Sequence, residues 1–280
     1  MDRTTLLGLI VAFGAIGLSV MLEGGRAESF VNVPAGILVL GGTIGATVVG
    51  LPWRQVADVP RVMKQAFLGR QVDSLEVIEL MTEFIRRARR DGILALDADV
   101  ENLDNEFLRT GLQLVIDGTS QELLREMLET EVRAMRARHS MGQNIFGTLG
   151  GFAPTLGIIG TVMGLVYMLA NLERPEEMGH SIASAFIATL YGVSAANLVF
   201  LPIANKLKAK SEEELDAYHL AIEGLLALQA GESPWVAAAR MRSFLPPRAK
   251  EKLDSAHGAV PVSTGQGEAG QQGRVVSDEP

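Results

Sequence analysis

The sequence predicts an all-α membrane protein with four transmembrane helices and a helical cytoplasmic insertion between helices 2 and 3. Three observations carry this expectation. Four long apolar runs, arranged as two pairs, contain no Asp, Glu, Lys, Arg or His. A stretch of about a hundred charged and amphipathic residues separates the two pairs. Basic residues crowd onto one side of the resulting layout, and the chain is 48% hydrophobic yet 21% charged, so apolar and charged blocks alternate.

The runs are Thr4–Leu22, Val31–Leu51, Gly147–Leu172 and Ser181–Ala204. Each supplies the ~20 residues that cross a ~30 Å hydrocarbon layer at ~1.5 Å per residue. Buried helices of soluble proteins are rarely so long and so free of charge. The first run does not read as a signal peptide: Asp2 offsets Arg3, no small-x-small cleavage site follows, and a second run starts eight residues later.

The connectors Glu23–Phe30 and Glu173–His180 hold one basic residue each, Arg26 and Arg174. Thirteen Lys or Arg lie in Pro52–Phe146, and nine follow from Asn205 onward. Arg54, Arg133, Arg136, Arg138, Lys206, Lys208 and Lys210 fall near membrane ends, where the positive-inside rule holds. The insertion and both termini are therefore expected in the cytoplasm of an inner-membrane protein, and the short connectors outside.

Within the insertion, Ser74 starts a helix through Arg89, with Val77, Leu80, Met81, Phe84, Ile85 and Ala88 on one face. Leu108, Leu112, Val115 and Ile116 mark a second helix ending at Asp117-Gly118. A third starts at Thr119 or Ser120, and nothing before Gly142 stops it from continuing into the third apolar run. Lys206–Leu228 is again amphipathic, and from Glu251 the Gly-, Gln- and Ser-rich tail reads as disordered. The expected organisation is 1–52 (helices 1 and 2), 53–140 (cytoplasmic insertion), 141–206 (helices 3 and 4), 207–250 (C-terminal helical segment) and 251–280 (disordered tail).

Chemistry-bearing motifs are missing. There is no cysteine, no phosphate-binding loop and no H-E-x-x-H, and His139, His180, His219 and His257 lack ligand spacing. A net charge of −8 argues against nucleic acid as partner. The reading is of a non-enzyme without cofactor.

The spans are more informative. Small residues four apart recur at Gly41 and Gly45, Gly147 and Gly151, and Gly160 and Gly164, a spacing that lets helices approach closely in lipid. Neutral polar groups gather in the last two runs, among them Thr148, Thr155, Thr161, Tyr167, Asn171, Ser184, Thr189, Tyr191, Ser194 and Asn197. Thr189 and Asn197 are eight apart, Pro154 and Thr161 seven apart, so each pair shares a helix face. Pro154 also frees a carbonyl one turn back. Hydroxyl packing alone accounts for some such residues; together they suggest a polar path without an ionisable group of its own. A carboxylate would then have to come from a second protein.

These stretches carry a family resemblance. Ala153-Pro154-Thr155-Leu156-Gly157-Ile158-Ile159-Gly160-Thr161-Val162-Met163-Gly164-Leu165 resembles the third span of the flagellar stator subunits MotA and PomA. Ala188-Thr189-Leu190-Tyr191-Gly192 and Leu201-Pro202-Ile203-Ala204-Asn205-Lys206-Leu207 resemble the fourth. Ala88-Arg89-Arg90-Asp91-Gly92-Ile93-Leu94-Ala95-Leu96-Asp97 is similar to the family's charged rotor-facing segment. The resemblance covers roughly residues 1–230.

It implies an ion-driven stator: a pentamer of this subunit around two copies of a MotB or PomB partner, which supplies the membrane aspartate. Passage of H+ or Na+ would turn the ring against the rotor protein FliG, with membrane lipid as the surrounding partner. Carried over by position, Thr161 and Thr189, together with Pro154, Tyr191 and Asn197, are assigned to the ion pathway, and Pro154 and Pro202 to conformational coupling. Arg89 or Arg90 takes the basic rotor contact, and the acidic one falls among Asp97, Asp99 and Glu101. An ExbB or TolQ energiser of outer-membrane processes shares the channel core and is the alternative. Such proteins usually have three spans.

Overall fold

A computed structural model describes residues 3–25, 27–53, 55–60, 72–245, 247 and 249–251. Arg54 and the tail expected to be disordered, apart from Glu251, lie outside the described residues. Among the described residues every regular element is helical.

The first apolar run forms α1, Arg3–Leu22. The second forms α2, Val33–Val49, whose first turn Asn32 caps by accepting the amide N–H of Ala35 at 2.9 Å. α2 is shorter than its apolar run: 17 residues, about 25 Å of rise. Among the described residues, three helices are long and apolar enough to cross a membrane, and α2 is a shorter apolar helix beside them. It contains one π-helical stretch, Ile37–Gly41.

α3 spans Ser74–Asp91. Its cap is Asp73, not the expected Ser74: the Asp73 carboxylate accepts the amide of Leu75 at 2.9 Å. A carboxylate beside the free N–H groups is favoured there by the helix dipole as well. α3 ends at Gly92, whose φ of 86° reverses the chain into two short turns, Ile93–Leu96 and Asp97–Val100. α4, Glu106–Ile116, follows. Ser120 then caps α5, Gln121–Ala170, which runs 50 residues without a break through Pro154 and into the third apolar run.

The last long helix, α6, is built from Pro175–Ser194, a π-helical stretch Ala195–Phe200, and Leu201–Gln229. It carries the fourth apolar run and continues out of it. Ser233 caps α7, Pro234–Arg242.

Two packing regions result. In the first, Val77, Met81 and Ile85 of α3, Leu112 of α4, Leu124 and Leu128 of α5, Leu220 and Leu225 of α6 and Met241 of α7 share one apolar core. Segments 74–135 and 215–245, about eighty residues apart in sequence, thus close one helical domain. In the second, the apolar halves of α5 and α6 pack side by side with α2 against them. α1 is the least buried of the long helices and meets the π-helical stretch of α6 and the connector turn Ala27–Phe30.

Candidate functional site

The contact between α5 and α6 is made by small residues. A Cβ on Gly157 would lie 2.9 Å from the carbonyl oxygen of Ala188 and 3.1 Å from Cα of Thr189. A Cβ on Gly160 would meet Ala188, and one on Gly164 would meet Ala185. Of the three spaced glycine pairs, only Gly160 and Gly164 serve this contact; Gly41, Gly45, Gly147 and Gly151 have open space around them within the chain. Gly150, Gly157 and Gly192 also make close approaches, and sequence spacing did not single them out.

This closeness brings Thr161 and Thr189 together. Their hydroxyls hydrogen-bond each other, and the carbonyl oxygen of Gly157 lies 3.1 Å from the Thr161 hydroxyl and 3.3 Å from that of Thr189, so whichever hydroxyl accepts the shared bond can donate its own proton to that carbonyl. The remaining members of the expected pathway sit elsewhere. The Tyr191 hydroxyl donates to the carbonyl of Phe30 at 2.5 Å and accepts the amide N–H of Asn32 at 3.0 Å. Asn32 Nδ2 also donates to Ser184 Oγ at 2.9 Å, so Tyr191 and Ser184 pin the connector between α1 and α2 onto α6. Asn197 donates to the carbonyl of Val193 at 2.9 Å and lines a cavity of about 390 Å³ between α1 and α6, with Thr5, Gly8, Leu198 and Pro202. Asn197 lies within the π-helical stretch, whose wider winding departs from the straight helical spacing that would set it on the face of Thr189. Two polar residues of α2 were missed: Thr43 and Thr47 are buried, the Thr47 hydroxyl donates to the carbonyl of Thr43 at 2.8 Å, and the Thr43 hydroxyl has no partner among the described residues.

Pro154 and Pro202 fall at one level. Proline at 154 removes the amide that would serve the carbonyl of Gly150, and Gly150 packs on Leu201, the neighbour of Pro202. In α6 the amide of Leu201 serves the carbonyl of Ala196, five residues back. Pro202 has no N–H to serve Asn197 in turn, so the bulge and the proline together leave that carbonyl without a helical donor.

The charged segment after α3 is sorted by its ion pairs. Arg90 grips Asp91, Nε to Oδ1 at 3.0 Å and Nη2 to Oδ2 at 2.8 Å. This hydrogen bond raises the Arg90 pKa and lowers that of Asp91. Arg87 reaches both oxygens of Asp99, at 2.8 and 2.7 Å. Arg89, Asp97 and Glu101 are exposed and have no side-chain partner among the described residues.

Comparison with known proteins bears on what this arrangement is for. The model described as the MotA/TolQ/ExbB proton channel family matches residues 99–219, and that of the Motility protein A N-terminal region matches 6–92. Motility protein A of Bacillus subtilis (strain 168) is 37% identical over 280 residues, all of both chains. The chain belongs to the Motility protein A family. Chemotaxis protein PomA of Vibrio alginolyticus is 34% identical over 245 residues, 88% of this chain and 96% of that one. The flagellar MotAB stator complex of Bacillus subtilis superposes with a TM-score of 0.84 at 37% identity, covering 91% of this chain and all of its counterpart. The C. jejuni MotAB structure gives 0.84 at 28% identity, over 88% and 97%. This is a family of channel-forming stator subunits, not of enzymes, and as a member the chain is a membrane protein.

Proposed function

We propose that the chain is the ion-conducting stator subunit of a bacterial flagellar motor, working with a MotB- or PomB-type partner. The observation that carries this reading is superposition on MotAB stator complexes over nine-tenths of the chain. The match of the Motility protein A N-terminal model to residues 6–92 favours a stator over an ExbB- or TolQ-like energiser.

In this reading α1, α2, α5 and α6 all cross the inner membrane, α2 at the short end of the ~17–25 residues that suffice. Both termini are cytoplasmic. The Thr161–Thr189 pair marks the ion path, as paired neutral hydroxyls beside the partner's acid, and Pro154 and Pro202 lie where the two long helices can change shape. Five copies surround the partner, lipid surrounds the ring, and Arg89, Asp97 and Glu101 face the rotor protein FliG. One charge crossing ~150 mV releases about 3.5 kcal/mol, enough to drive a step between states a few kcal/mol apart.

The apolar spans hold no Asp, Glu, Lys, Arg or His, so the chain by itself should conduct neither H+ nor Na+. Liposomes with an imposed gradient are loaded with the chain alone or together with its partner, and internal pH and sodium are followed. Flux is expected only with the partner. Sustained flux from the lone chain would refute the proposal.

A further inference from the structure

The charged segment 86–101 carries two kinds of ion pair. Arg86 with Glu83 and Arg90 with Asp91 join neighbours on one helix or one turn. Arg87 with Asp99 is different. It spans twelve residues, brings Arg87 Nη1 to both oxygens of Asp99, and is less exposed than the other two. It ties the last turns of α3, which hold Arg89, to the turn Asp97–Val100, which holds Asp97 and precedes Glu101.

Between those ends the chain reverses at Gly92, the one backbone position here with positive φ. Leu96 and Val100 are buried and anchor the inner side of the reversal. On the outer side the anchor is the Arg87–Asp99 pair. Asp99 faces inward to Arg87, whereas Asp97 and Glu101, two residues to either side, are exposed.

The geometry points to Arg87 and Asp99 as a positioning clip: the pair holds the basic residue Arg89 and the acidic residues Asp97 and Glu101 at a fixed separation, and neither member touches the rotor. This inference rests on the stator reading and refines its rotor-facing site, since Asp99 leaves the set of contact residues. One guanidinium nitrogen held by both carboxylate oxygens across the reversal fixes the distance between its two ends.

The test uses the complete stator complex with its partner. Asp99→Asn should speed amide exchange across 93–101 in the purified complex about fivefold, in keeping with loss of a partly exposed pair. The same variant should slow swimming at unchanged membrane yield. Asp99→Glu should retain both properties, and the reversed pair Arg87→Asp with Asp99→Arg should restore them. The rescue is the discriminating result. A residue that met the rotor directly would be made worse by reversal, and its replacement would leave exchange in the isolated complex unaltered. Either of these outcomes, or normal swimming in Asp99→Asn despite faster exchange, overturns the clip. If the double variant Arg89→Glu, Arg90→Glu also swims normally, the rotor-facing reading itself has failed; the exchange data then still decide whether the clip exists.

Discussion

At the α5–α6 contact, the carbonyl of Gly157 already serves its own helix and also faces two hydroxyls, Thr161 and Thr189. A hydroxyl that can choose between a neighbour and a carbonyl can reorient at little cost, which suits a place where an ion passes. Thr189→Val keeps the shape and removes one member. If only packing were lost, the cost would be about 0.6 kcal/mol, typical of such bonds in membranes. Conduction and swimming are instead expected to fall sharply while complex yield after detergent extraction holds. Normal speed in both sodium-rich and sodium-free medium would remove Thr189 from the path, and a loss confined to sodium would name the ion. Residue type and motif singled out the two threonines, but not their contact with each other. The glycines that make it possible were not legible, because a four-residue spacing says which residues share a face but not which face meets a neighbour: Gly157 and Gly192 meet across the contact, and Gly41 and Gly45 do not. In the helical domain formed by 74–135 and 215–245, burial raises the Tyr218 pKa, with the hydrogen bond from Asn105 acting the other way. The neutral phenol is thus favoured in the fold. Its contribution is complete below the unfolded pKa of ~10 and is lost as pH rises through the higher folded value. Thermal unfolding between pH 9 and 11 should show a shallower alkaline decline in Tyr218→Phe than in the parent.

At the scale of elements, α6 is the informative helix. Sequence patterning places its apolar and amphipathic halves but gives no sign of the six π-helical residues between them. That stretch ends two residues before Pro202, so the amide missing at 202 coincides with a helix already wound more widely. A proline inside a helix ordinarily costs ~3 kcal/mol or more; beside a bulge, part of that cost is already met. Pro202→Ala supplies a donor for the carbonyl of Asn197 or Leu198 and should tighten the helix. The expected result is a complex more stable to heat by about 1–2 kcal/mol but slower in swimming, since a closed hydrogen-bond ladder resists a change of winding. Equal speed with higher stability would show that the bulge is architecture without a role in movement. The cap of α3 teaches a smaller lesson. Asp73 and Ser74 are both good caps, and the first apolar residue of the pattern does not choose between them. The choice lies in the backbone, extended at Asp73 and helical at Ser74.

Across the whole molecule, the core of 74–135 and 215–245 draws α3, α4 and α7 around the ends of α5 and α6, the same two helices that pair at the hydroxyls. The helices and their faces could be read from periodicity; that the segment after the fourth run closes the same core could not, because pattern alone does not say which distant apolar faces meet. Gly224 of α6 lies where α3 and α7 converge: a Cβ there would come within 2.7 Å of Met81 and 2.9 Å of Met241. Met241 is fully buried, so Met241→Ala should cost about 2–4 kcal/mol. The loss is expected as a lower melting temperature of the purified complex, with α7 becoming open to proteolysis first. A melting temperature within a degree of the parent would mean that α7 is not part of the cooperative unit.

The continuity of α5 sets a mechanical scale. From Gln121 to Phe146 it extends as one rod of roughly 39 Å beyond the apolar run. A tilt of about 10° at the membrane mouth would sweep its far end through about 7 Å. If the ~3.5 kcal/mol released by one charge were spent entirely over that stroke, the mean force would be on the order of 35 piconewtons. A jointed α5 would lose part of that travel in its own bending. An unbroken helix delivers it at the tip.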